Sequence, residues 1–118
     1  MSTHTCTPAS TKEARAWLRD LLDSPNEDAE LVLTELSTNA FIHGSPPVNC
    51  TVEVGHGELT IRISQPGSAD AVRMRDPDPT VPGGRGLQLV DAIATSWGAS
   101  NEGEVLTVWA TLPNPPAR

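Results

Sequence analysis

The chain has 118 residues and a mass of 12.5 kDa, which is one domain's worth. Eight Lys and Arg against 15 Asp and Glu give a formal net charge of −7 and a pI near 4.7. That balance excludes sequence-independent nucleic-acid binding, whose affinity comes from cations neutralising phosphates, and disfavours anionic membranes for the same reason. No run approaches the roughly 18 apolar residues of a membrane span. Residues 1–10 lack the apolar core of a signal peptide, so a cytoplasmic protein is expected. Cys6 and Cys50 make neither a disulfide scaffold nor a metal cluster, and two free thiols in a reducing compartment are expected. The aromatic residues are Trp17, Phe41, Trp97 and Trp109, too few for a base-stacking platform.

Residues 1–9 read as a flexible tail. Ser10 and Glu13 have the spacing of a helix capping box. Ala14, Trp17, Leu18, Leu21 and Leu22 follow at helical spacing, so an amphipathic helix is predicted to end near Asp23. Ser24, Pro25 and Glu27 read as a second start, with Ser24 as the cap. This helix is predicted to run to about His43 and stop at Gly44. The period then changes to two. Val48, Cys50, Val52 and Val54, then Leu59, Ile61 and Ile63, alternate with polar residues around a turn at Gly55 to Gly57, which predicts a hairpin. Residues 65–84 are rich in Pro and Gly without periodicity, and so long a loop in a small domain is more often a lid than an accident. Leu87, Val90, Ile93, Ala94 and Trp97 make the stripe of a third helix. A last hairpin is predicted, with strands near 97–100 and 105–112, and residues 113–118 read as a tail. Trp97 and Trp109 are expected to fill the core between helix and sheet. The implied fold is α+β: a two-layer α/β sandwich, mostly antiparallel, covered on one face by three helices, over 10–112.

Two places hold candidate chemistry. On a helix, Asn39 lies about 40° and His43 about 80° around from Glu35, so the three share a face with the apolar stripe. Burying a carboxylate there is costly unless it has a partner or a task. Glu35 is therefore either a rim residue or a working acid, and Asn39 either a satisfied core amide or a ligand. The second place is Gly83-Gly84-Arg85-Gly86-Leu87, which opens the third helix. It is either a plain turn or a phosphate site, because helix-start N–H groups are unpaired and glycines let a ligand approach. It lacks the Gly-Lys-Ser/Thr of a Walker A loop. The three histidines are too scattered for a zinc site.

Taken together, these stretches resemble the Bergerat-type (GHKL) ATP-binding family, which includes gyrase B, MutL and the histidine kinases. The resemblance rests on Glu35-x-x-x-Asn39-x-x-x-His43-Gly44, Gln65-Pro66-Gly67-Ser68-Ala69, Gly84-Arg85-Gly86-Leu87 and Thr107, and covers about residues 11–112. Glu35 to Ala40, Gly84 to Asp91, Trp97-Gly98 and Thr107 to Trp109 are similar in particular to the small bacterial anti-sigma-factor serine kinases.

By that resemblance the cofactors are ATP and Mg²⁺. Asn39 would bind the Mg²⁺ that bridges the phosphates. Glu35, one turn earlier, would be the general base for an attacking hydroxyl or water. His43 and Gly44 would close the pocket, and Gly84, Arg85, Gly86 and Leu87 would offer the phosphate-binding turn. Residues 66–83 would be the lid, and Thr107 would lie under the adenine. The implied partner is a sigma factor or an antagonist of the anti-sigma factor, phosphorylated on Ser or Thr, and relatives of this kind commonly dimerise. A histidine kinase would need a phospho-acceptor His, and the first helix has none.

The chain departs from the pattern at one position. The family's adenine motif is Asp-x-Gly-x-Gly/Ala. Gly67 and Ala69 fit it, but Gln65 stands where the Asp belongs. A charge-assisted bond of roughly 1.5–3 kcal/mol becomes a neutral one of roughly 0.5–1.5. ATP affinity is accordingly expected to be about tenfold weaker or more. The alternative is a module of the same fold that has lost catalysis and regulates by protein contact alone, its acidity suiting a basic partner surface.

Overall fold

A computed structural model describes residues 2–67 and 86–115. Strand β1 (Ser2–Cys6) is followed by helices α1 (Thr11–Leu21) and α2 (Glu27–His43). The hairpin β2 (Asn49–Val54) and β3 (Glu58–Pro66) comes next, then α3 (Gly86–Ile93), β4 (Ser96–Glu102) and β5 (Val105–Pro113). The strands form one antiparallel sheet in the order β1-β2-β3-β5-β4. This is the expected α+β sandwich. Most of the expected lid lies in residues 68–85, outside the described residues.

Period-two alternation builds the core. Cys50 and Val52, then Leu59, Ile61 and Ile63, then Leu106, Val108, Ala110 and Leu112 all point to one face and are buried. The helices answer with Ala14 and Leu18 from α1, with Val32, Leu33, Leu36 and Ala40 from α2, and with Leu87 and Val90 from α3. Helix α2 lies centrally, packed on α1, α3, β3 and β5. Its side chains Ser37 and Thr38 reach the Thr11 hydroxyl of α1, at 3.3 and 3.2 Å. That fixes which side of α2 faces α1.

Three expectations change. Over Ser2–Cys6 the expected tail is an edge strand, paired with β2 from Ser2↔Val54 to Cys6↔Cys50. An edge strand needs no strong apolar alternation; only Cys6 among these residues packs against the core. The cap of α2 is Asn26, not Ser24. Its Oδ1 accepts from the Ala29 N–H at 3.0 Å, while its Nδ2 donates to the Pro113 carbonyl at 3.1 Å. An amide can cap a helix and hold the end of β5 at once; a serine hydroxyl cannot reach both.

Trp109 is the third. It lies on the sheet face turned away from the helices, in register with Arg62 and Gly98. An added Cβ at Gly98 would come within 3.0 Å of its indole. Much of the rest of that face is polar. Thr60 pairs with Thr111 at 2.8 Å, Ser64 with Thr107 at 3.0 Å, and Arg62 forms an ion pair with Glu53. Trp97 does lie on the helix side, in register with Ala110, but as a residue of β4. Its indole Nε1 donates to Asp91 at 2.8 Å. Helix α3 ends at Ile93, and the Thr95 N–H already bonds the Thr111 carbonyl in the sheet.

Candidate functional site

The site is built where α2 ends against the end of β3. Glu35 and Asn39 lie one turn apart on α2 and are both half-buried. Ser37 and Thr38 hold the other side of the helix against α1. Glu35 lies about 160° around from Ser37, so it points away from α1. Burial raises the Glu35 carboxyl above the ordinary carboxylate range, and no neighbouring charge or hydrogen bond contributes. A carboxyl in that state is a better proton acceptor than a solvated one.

Helix α2 stops at Gly44, whose N–H closes the last turn on the Ala40 carbonyl at 2.9 Å. The reason for glycine is steric. Its φ of −110° suits any residue. A Cβ, however, would lie 1.7 Å from Gln65 Oε1, 2.1 Å from Cδ and 2.3 Å from Nε2. The Gln65 amide therefore lies flat across Gly44. Gln65 comes from the core-facing row of β3 and is 7% exposed. Its Oε1 is buried and has no hydrogen-bond partner among the described residues. A buried acceptor left without a donor costs about 1–3 kcal/mol and so calls for an explanation.

Two residues on, Gly67 takes a φ of +155°, which favours glycine. Its N–H donates to the Glu104 carbonyl at 2.9 Å, and its carbonyl accepts from Asn101 Nδ2 at 3.0 Å. The chain leaving β3 is thus pinned to the turn between β4 and β5. Sequence reasoning missed Asn101, because no motif marks a clamp made across the sheet.

The predicted site residues do not all converge. Gly44 and Gln65 are brought into contact by α2 and β3, while Asn39 and Glu35 lie further back along α2, Glu35 at its middle. Gly86 opens α3, and Leu87 beside it is a core side chain, 7% exposed. His43 ends α2, and its side chain lies outside what is described. Ala69, Gly84 and Arg85 lie outside the described residues. Thr107 is on the other face of the sheet, with its hydroxyl on Ser64, while Gln65 faces the helices. The one-residue step from Ser64 to Gln65 reverses the face, so the structure does not bring the Thr107 side chain to the Gln65 side.

This arrangement fits an adenine nucleotide. The Gln65 carbonyl, unpartnered among the described residues, is of the kind that accepts from an exocyclic amino group, and Gly44 leaves room for the amide. The Asn39 carbonyl oxygen is a hard oxygen ligand of the kind Mg²⁺ takes. The chain matches the family model for the histidine kinase-like ATPase domain over residues 5–111, and it belongs to that family. Membership supports an ATP-binding regulatory function. A comparison with curated proteins finds no match. Among the described residues, no helix is long and apolar enough to cross a membrane.

Proposed function

We propose that this domain binds Mg-ATP at the junction of α2 and β3 and transfers phosphate to a Ser or Thr of a partner protein. The observation that carries the nucleotide reading is the buried Gln65 acceptor, without a partner among the described residues, in its seat against Gly44. The kinase reading rests further on the resemblance of the sequence from Glu35 to Ala40 and from Gly84 to Asp91 to the anti-sigma-factor serine kinases. The partner in this reading is a sigma factor, an antagonist of the anti-sigma factor, or both, met by a domain that acts as a homodimer.

Each residue then has a task. Gln65 orients the base. Asn39 holds Mg²⁺, which when bound with ATP supplies charge neutralisation for the phosphoryl group. Glu35 takes the proton from the attacking hydroxyl, and its raised pKa makes it the stronger base. The backbone at Gly86 offers N–H groups at the start of α3.

Calorimetric titration of the full chain with Mg-ATP tests this. Saturable heat is expected, and Asn39→Ala should abolish most of it. Folded protein that gives no heat at millimolar Mg-ATP refutes the reading. A second reading, a protein-binding module without catalysis, is favoured by the neutrality of Gln65. It requires that Glu35→Ala and Asn39→Ala leave capture of a sigma factor or antagonist unchanged.

A further inference from the structure

We propose that Gln65 makes this a base-tolerant purine pocket, which takes guanine as well as adenine nucleoside triphosphates. The inference rests on the nucleotide-binding reading and deepens it.

The argument starts from hydrogen-bond inventory. A carboxylate in this seat is acceptor-only. It accepts from the amino group at position 6 of adenine and repels the keto oxygen at position 6 of guanine. A primary amide carries an acceptor and a donor pair on the same planar group. Half a turn about its last bond exchanges them.

The seat permits that turn. The Gln65 amide lies over Gly44, its oxygen and nitrogen 1.7 and 2.3 Å from where a Cβ would be. Exchanging two atoms of nearly equal size leaves this packing unchanged. Among the described residues, the buried Oε1 has no donor that would hold the amide in one orientation. Strong discrimination arises when the wrong ligand leaves a buried polar group unpaired. Here neither base does so. Adenine meets the carbonyl and guanine meets the amino group.

The test is titration of the full-length chain with Mg-ATP and Mg-GTP at pH 8. The expected result is dissociation constants within about tenfold of each other. Gln65→Glu keeps the length and replaces the donors with a charged acceptor, so it should weaken Mg-GTP at least tenfold relative to Mg-ATP. Gln65→Asp serves the same comparison if Gln65→Glu does not fold. A wild-type preference for ATP above a hundredfold overturns the inference and leaves nucleotide binding standing. Equal loss of both nucleotides in the acidic variants, at wild-type foldedness by circular dichroism, also overturns it. Absence of both nucleotides from folded wild type overturns the nucleotide reading itself, and the inference with it.

Discussion

Gly44→Ala is the most direct probe of how the site is assembled. The added methyl would lie 1.7–2.3 Å from three atoms of the Gln65 amide. All three belong to the end of a flexible side chain, so the chain need not break: Gln65 swings out of its seat. Overpacking of this kind costs about 1–3 kcal/mol. The substitution also narrows the unfolded ensemble, and because φ is −110° the alanine adopts the native backbone without strain. That restores about 0.4–1 kcal/mol. The net expectation is a loss of about 0.5–2 kcal/mol, read as a lower urea midpoint at unchanged slope. The same swing removes the base acceptor, so Mg-ATP affinity should fall up to roughly tenfold, the worth of one neutral hydrogen bond. A double-mutant cycle isolates the contact. In Gly44→Ala/Gln65→Ala nothing remains to collide, so the double variant should be more stable than the two single losses predict, with a coupling of about 0.5–3 kcal/mol. Additive losses, or a Gly44→Ala protein as stable as wild type, would refute the claim that Gly44 is glycine for the sake of Gln65.

Two further outcomes follow from titrating groups. The Glu35 pKa is raised by burial in the folded state, so the folded form holds its proton more tightly than the unfolded chain. Its ionisation then costs stability as pH rises through the raised value, and Glu35→Gln should raise the thermal midpoint at pH 7. That gain should vanish below the ordinary carboxylate range, where both states are protonated, while phosphotransfer is lost at every pH. Equal gains at pH 3 and pH 7 would contradict the burial argument. Burial pushes the Cys50 thiol up to about 12 and raises Cys6 less far. Iodoacetamide at pH 8 should therefore label Cys6 well before Cys50, and Cys50 only when the domain is unfolded by urea, as peptide mass mapping would read.

The sheet and helices were legible because each is written in a local period. The alternation of Leu59, Ile61 and Ile63 and the Ser10 cap, whose Oγ accepts from the Glu13 N–H at 3.2 Å, need no knowledge of the rest of the chain. What was not legible depends on distant partners. Strand β1 is held by its ladder to β2, about fifty residues away in sequence. Asn26 outcompetes Ser24 as a cap through its bonds to Pro113 and Asn114. Trp109 has the size of a core residue but the parity of the open face. The site shows the same division. Glu35 and Asn39 follow from helical spacing, whereas the contact of Gly44 with Gln65 and the Asn101 clamp on Gly67 exist only once the sheet has closed.

Gln65 also bears on the stability of the empty domain. Its position is 7% exposed, and its oxygen finds no donor among the described residues. A neutral amide left in that state costs about 1–3 kcal/mol, and an ionised carboxylate costs more. The amide therefore favours the nucleotide-free fold, and a carboxylate favours the bound one, where a ligand donor satisfies its charge. Gln65→Asp should accordingly lower the thermal midpoint without ligand and enlarge the upward shift produced by Mg-ATP, since stabilisation by a ligand grows with its affinity for the native state. Thermal-shift curves of wild type and variant across a series of Mg-ATP concentrations would cross. If Gln65→Asp were as stable as wild type without ligand and gained no more from Mg-ATP, position 65 would not face the base. Residue 65 would then be a core polar group whose orphaned oxygen has some other cause.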